Sequence, residues 1–199
     1  MVELNEVILE PGFEPLSAMA WEGKVTCISG SATEQRSRLL LALMGFHDVA
    51  SGCISYDGEP LNNSNVRAFR QLTAYAPRQL DTIGQVTPYS PPTVQQVFAL
   101  KANRQQPISN GILAEEMKRT AIDGPNAKWL AVAALLNRPV FLADHPSAQA
   151  ATYLRTLAEK GRVVIVASNE QAIIDMADTV IHIEKSQNAT LAAHTAAEN

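Results

Sequence analysis

The chain has 199 residues, of which 46% are hydrophobic and 18% charged, with a formal net charge of −4 and a pI near 5.6. That length fits one compact domain, and that apolar content supports a core, which excludes a disordered chain. The acidic balance argues against general nucleic-acid binding, which calls for a basic surface. Cys27 and Cys53 are too few for a disulfide scaffold and lack metal-ligand spacing, and Cys27, inside an apolar run, reads as a small core residue. The N-terminus carries Glu3 and Glu6 instead of a basic-then-apolar leader. No run approaches the roughly 20 apolar residues that cross a bilayer. The expectation is a cytoplasmic protein without direct membrane insertion, peripheral to a membrane's inner face only through a partner.

In chain order, Val25 to Ser29 follows Gly23 and reads as a buried strand. A Gly/Ser/Thr segment comes next, then a helix over Ser37 to Met44 that Gly45 ends. Strand, loop, helix is the framework of a phosphate-binding loop. Cys53 to Tyr56 runs as a strand into the Asp57-Gly58 turn, and Leu72 to Ala76 as a strand stopped by Pro77. Gln79 to Pro92 is rich in Gln, Thr, Pro and Ser and reads as a loop. Thr93 to Lys101 and Leu113 to Thr120 are amphipathic helix candidates, and Lys128 to Leu136, apolar on most faces, a buried helix. Then strand and helix alternate: Val140 to Ala143, Ala148 to Lys160, the β-branched run Val163 to Ala167, Gln171 to Ala177, and Thr179 to Ile183. The tail from Lys185 is polar and Ala-rich and reads as frayed. Such alternation predicts an α/β domain, a mostly parallel sheet flanked by helices.

The segment Leu135-Leu136-Asn137-Arg138-Pro139-Val140-Phe141-Leu142-Ala143-Asp144-His145-Pro146-Ser147 resembles the ABC (ATP-binding-cassette) ATPase stretch in which a helix, a buried strand and Asp-Glu-Pro-Thr follow one another. Gly52 to Gly58 is similar to that family's strand and turn after the first helix, and Gly161 to Asp178 to its strand, switch residue and Ala-Asp pair. The matches keep the family's order across nearly the whole chain. The resemblance implies a P-loop NTPase fold of ABC type in a single domain. Residues 1–78 would hold an N-terminal antiparallel β-subdomain and the phosphate loop, 79–124 a shortened helical subdomain, 125–184 the rest of the core, and 185–199 the tail.

On that resemblance the phosphate loop is Gly30-Ser31-Ala32-Thr33-Glu34-Gln35-Arg36-Ser37-Arg38. The P-loop pattern asks for Gly, four free positions, then Gly-Lys and Ser or Thr. Gly30 and Ser37 fit. Thr33 and Gln35 replace glycines, and Arg36 replaces the lysine. Threonine in a left-handed loop position costs about 1–2 kcal/mol and crowds the anion. Arg36 keeps a positive charge and either grips a phosphate bidentately or lies solvated at a helix start. Arg78 stands for the glutamine that senses Mg²⁺ and water, and that ties the helical subdomain to the nucleotide. His145 stands for the glutamate base, and Asn169 for the switch histidine. Ala151 stands for the aspartate of the loop after Asp144. Asp144 keeps the metal-orienting carboxylate. The signature that caps a phosphate of the opposite subunit aligns with Ile122, Asp123 and Gly124, without the serine hydroxyl, and Pro125 removes a donor. Phe13 occupies the place of the adenine-stacking aromatic or is a core phenylalanine.

With both halves of a composite ATP site altered, the resemblance implies a pseudo-ATPase, a scaffold or regulator in an ABC-type or transporter-like complex. Its partner would be an ABC ATPase, in a homodimer or heterodimer, or a membrane subunit. The alternative is a divergent transporter ATPase with slow hydrolysis. ATP and Mg²⁺ would bind weakly if at all, with Ser37 and Asp144 as metal ligands only when Mg²⁺ is present. Trp21 and Trp129 read as packing residues, and Arg67, Arg70 and Arg78 as a solvated basic face.

Overall fold

The computed structural model describes residues 1–78, 93–103, 108–122 and 125–186. The N-terminal third forms an antiparallel sheet of β1 (Val2–Ile8), β2 (Leu16–Ala20), β4 (Ser51–Tyr56) and β5 (Glu59–Pro60), in the order β2-β1-β4-β5. A second, parallel sheet has the order β6-β7-β8-β3-β9, built from β3 (Val25–Ser29), β6 (Thr73–Ala76), β7 (Val140–Asp144), β8 (Val163–Ala167) and β9 (Thr179–His182). Every residue of β3, β7 and β8 is buried. Continuous apolar runs suit strands covered on both faces. The strand alternation divides them between two cores. Leu142, Ile165 and Ile28 face the antiparallel sheet and α1 (Thr33–Leu43), where Leu39, Leu40 and Leu43 lie. Phe141, Val164, Val166 and Cys27 face the opposite layer of α5 (Pro125–Leu135) and α6 (Ala151–Glu159), against Leu130, Leu154 and Leu157.

The remaining described helices are α2 (Val66–Leu72), α3 (Val94–Ala99), α4 (Asn110–Arg119) and α7 (Gln171–Met176). Caps place several starts. Thr93 Oγ1 accepts from the Gln96 N–H at 3.2 Å while the Gln96 side chain accepts from Thr93 N–H at 2.7 Å, a reciprocal capping box. Ser109 Oγ accepts from Ile112 N–H and starts α4 at Asn110, three residues before the expected Leu113. Pro125 opens α5 earlier than the expected Lys128, as its fixed φ favours a first turn. The helix expected from Ala148 begins as a 3₁₀ turn over Ala148–Ala150 before α6. The expected loop Gln79 to Pro92 lies outside the described residues.

Three expectations are corrected. The tail does not fray at Lys185: Lys185 bridges Phe13, Ser186 N–H reaches Gly12 C=O at 2.9 Å, and Glu14 N–H reaches Glu184 C=O at 3.0 Å. Arg70 is not a solvated charge. Its Nε and Nη2 donate to Met44 and Gly45 carbonyls, each at 2.8 Å, and its guanidinium stacks 4.0 Å over Phe46, so it caps the C-terminal end of α1. Trp21, read as a packing residue, is 51% exposed beyond the end of β2, an edge strand. Cys27 is fully buried, and burial pushes its thiol up to about 11, which leaves it inert.

Asp178 ties two layers together, accepting from Val25 N–H at 2.8 Å, Arg155 at 2.8 Å and Lys24 at 3.2 Å. Burial pulls its pKa upward, but these donors outweigh burial and leave it at about 2, below its ordinary 3.8. A depressed carboxylate contributes stability that is complete above its unfolded pKa and lost as the folded group protonates. Acid titration of unfolding should therefore show a stability loss between about pH 4 and pH 2 that Asp178→Asn lacks.

Candidate functional site

The C-terminal ends of β3, β7 and β8 converge on the first turn of α1, and several of the sequence-nominated residues meet there. Gly30 leaves β3 at φ +124°, and a Cβ at this position would overlap the carbonyl oxygen of Ile183. Only glycine fits this close approach. Beyond it, the loop differs from the sequence expectation. α1 begins at Thr33, and no residue between Gly30 and Arg36 has positive φ. Gln35 and Arg36 N–H groups already point to the Ala32 carbonyl at 3.1 and 3.2 Å. Thr33 thus carries no left-handed strain. With side chains at 33 and 35 the right-handed helix is the lower-energy path, and the segment winds where glycines would let it wrap an anion.

Arg36 is 3% exposed, so it is not a solvated helix-start residue. One Nη donates to Gly30 C=O, and the other lies 3.2 Å from Thr33 Oγ1 and 2.9 Å from His145 Nε2. Arginine has donors only, so His145 Nε2 is the acceptor and the imidazole proton sits on Nδ1. Nδ1 is 2.6 Å from Asp144 Oδ1, to which it donates. Asp144 is 7% exposed and accepts also from Ser37 Oγ at 2.8 Å and Tyr75 OH at 3.1 Å. Burial lowers the Arg36 pKa, and the Asp144 charge pulls it back toward the ordinary value. Burial, with Asp144 beside it, pushes the Tyr75 phenol strongly upward, keeping it a neutral donor.

Asn169 closes the other side. Its Oδ1 accepts from Ser29 Oγ at 2.9 Å and Gly30 N–H at 3.1 Å, and its Nδ2 donates to Gly30 C=O at 3.0 Å. Gly30 C=O is thus shared by Arg36 and Asn169. Arg38 pairs with Glu10, which also accepts from Gln35 Nε2 at 2.7 Å. An open cleft of about 620 Å³ lies beside the network, lined by Glu10, Glu34, Ser37, Arg38, Arg78 and Asp144.

The structure thus brings together Gly30, Arg36, Ser37, Asp144, His145 and Asn169, with Arg38 and Arg78 on the cleft wall. Phe13 is not among the residues lining this cleft: its ring is half-buried against the core, and its backbone bridges Lys185 and bonds Glu10 C=O. Ile122 packs against the opposite core, Ala151 opens α6, and Asp123 and Gly124 lie outside the described residues. Sequence reasoning missed Tyr75 and Glu10, and gave Thr33 a place in the loop but not its bond to Arg36. The signal for Tyr75 was available: strand alternation puts it on the opposite face of β6 from buried Ala74 and Ala76. Glu10 reaches the site from a distant segment and left no local mark.

Ser37 and Asp144, a hydroxyl and a carboxylate at 2.8 Å, are of the type that holds a hydrated Mg²⁺ with a nucleotide. The phosphate side fits poorly. The Arg36 guanidinium lies between Gly30 and His145, and the loop is helical from Thr33.

No family profile matches the chain. It is 27% identical over 187 residues to a probable ABC transporter ATP-binding/permease protein of Haemophilus influenzae, covering 83% of this chain and 34% of that protein. The chain spans about a third of the length of this curated relative. Among solved structures, it superposes with a TM-score of 0.68 on a dimeric ATP-binding cassette in a post-hydrolysis state bound to ADP and Pi, at 16% identity over 93% of this chain and 98% of that one. A bacterial Atm1-family ABC exporter with ATP bound gives 0.69 at 15% identity, covering 92% and 37% of the two chains. The cbiO1 subunit of the cbiONQ ABC transporter complex of Clostridium perfringens gives 0.63, again at 15%, covering 92% and 84%. The two-sheet architecture and these likenesses show that the chain has the P-loop NTPase fold of the ATP-binding cassettes of ABC transporters, to which it is similar in the order of its motifs.

Proposed function

We propose that this chain is a non-hydrolysing ABC-type subunit that acts through protein contacts, as scaffold or regulator of a transporter-like complex. The observation that carries this reading is the hydrogen-bonded chain Arg36–His145–Asp144–Ser37, in which Arg36 and Asp144 are buried. A base needs a free lone pair near the attacking water. The accepting nitrogen of His145 is used by Arg36, and its other nitrogen is protonated toward Asp144. Thr33, Arg36, His145 and Asn169 all depart from the family pattern, and all four join one network around Gly30 and Asp144. Apart from Arg36 Nε, which has no partner among the described residues, these groups bond one another, as expected of a polar cluster that holds the fold together. A membrane permease is the partner class this reading favours, because the Haemophilus influenzae relative combines ATP-binding and permease portions. Dimerisation with an ABC ATPase is the other arrangement, since the post-hydrolysis cassette is dimeric.

Phosphate release and calorimetric titration with Mg-ATP test the reading on the purified chain. The expected result is turnover no faster than the buffer blank and no binding heat at up to about 1 mM nucleotide, the top of the usual KM range. Phosphate release that Asp144→Asn abolishes would instead establish the second reading, a slow divergent ATPase. That reading draws on the Ser37–Asp144 pair and on the retained Arg36 charge.

A further inference from the structure

α4 belongs to the helical segment and α6 to the parallel-sheet core, and they meet through a desolvated polar contact. Glu116 on α4 is 8% exposed and Tyr153 on α6 is 6% exposed. Tyr153 OH donates to Glu116 Oε1 at 2.6 Å, and Arg119 Nη1 donates to Glu116 Oε2 at 3.2 Å. Arg162 adds a third, longer-range attraction to the same carboxylate while its own guanidinium donates to Ala134 C=O and Asn137 Oδ1. Burial, reinforced by the hydrogen bond and charge of Glu116, pushes the Tyr153 phenol upward, so it stays a donor across the accessible pH range. A second tie lies nearby. Arg138, in the connection from α5 to β7, donates to Ala102 C=O at 2.6 Å and Asn103 Oδ1 at 2.9 Å, and Asn103 Nδ2 in turn donates to Val97 C=O at the end of α3.

We propose that the helical segment is latched to the core by Tyr153–Glu116 and by the Arg138 fork, so that its position is independent of nucleotide. A charged acceptor out of water loses more when its donor is removed than an exposed one does, so the contact is stronger than its single bond implies. The family resemblance gives the role of joining helical subdomain and nucleotide to a glutamine, and here that place holds Arg78, exposed on the cleft wall. The latch takes over the joining role with groups that never touch the cleft. Its independence of nucleotide rests on the proposed function. The latch itself does not.

Hydrogen–deuterium exchange on the full chain separates these points. In Tyr153→Phe, amides of Asn110–Arg119 should exchange about tenfold faster, the scale of one lost charge-assisted bond in a local opening, while β3, β7 and β8 stay protected. Arg138→Ala should raise exchange over Val94–Asn103 alone, and carries the test by itself should Tyr153→Phe fail to fold. Mg-ATP should alter none of these segments in the wild type. Unchanged exchange in both variants, or a uniform rise that includes the strands, would overturn the latch. Protection of Asn110–Arg119 by Mg-ATP without any phosphate release would overturn its independence while leaving the non-hydrolysing reading intact.

Discussion

Asp144→Ala is expected to destabilise the protein by about 3–5 kcal/mol, the range for removing one partner from a buried charged network. Three donors lose their acceptor at once: the Ser37 hydroxyl, the Tyr75 phenol and His145 Nδ1–H. An unsatisfied buried group costs about 1–3 kcal/mol, and because Ser37 and Tyr75 also line the open cleft, where water can replace part of the lost bonding, the low end of the range is expected. Arg36 also loses the charge that offsets its burial. For a chain of this size the loss corresponds to a fall in melting temperature on the order of 10 °C. Asp144→Asn should cost less, because the amide oxygen still accepts from one donor while its NH₂ opposes another. Urea denaturation with an unchanged m-value is the measurement. A cost under about 1 kcal/mol for Asp144→Ala would mean that the carboxylate is solvated and free for a metal, against the closed network.

The second large effect is expected at Gly30→Ala, about 3 kcal/mol or more. The left-handed backbone costs a non-glycine residue about 1–2 kcal/mol, and the added methyl overlaps the Ile183 carbonyl. Backbone yields less readily than a side chain, and Ile183 N–H bonds Ser29 C=O at 2.9 Å, so relief of the overlap disturbs the β3–β9 pairing. Gly58→Ala is the internal control. Gly58 has φ +81° with nothing within 4 Å of an added Cβ, so it reports the backbone cost alone. Equal losses at the two sites in chemical denaturation would remove the packing argument at Gly30.

Much of the fold was legible because it is written in local periodicity. The run Val163 to Ala167 forms β8 at the expected bounds, and Val25 to Ser29 forms β3 likewise. Their β-branched, uninterrupted character reflects burial on both faces, a property of the strand itself. The site was legible as a set of positions, since Gly30, Asp144 and Asn169 stand where strands end and Ser37 lies near the start of α1. What those side chains bond to was not. The expectation for Arg36 rested on its place in the motif, which gives charge but not direction. Its burial depends on His145, more than a hundred positions away, and on Thr33 one turn earlier. The same gap explains Arg70, read as a solvated charge from its arginine-rich neighbourhood, although its partners are the carbonyls that end α1.

By itself, then, the sequence determined the layered architecture, the order of its elements and which side chains stand where the strands end. Hydrophobic periodicity and the identity of side chains at strand ends are local quantities, and they survive without coordinates. Only the tertiary structure decided that the loop after β3 winds into helix and that Arg36 turns inward. It also decided that Asp144 is consumed by three donors and that Glu116 meets Tyr153 across two layers. Each of these is a pairing between segments far apart in the chain. Desolvation makes such pairings obligatory once the segments are packed together, and no local pattern names the partner.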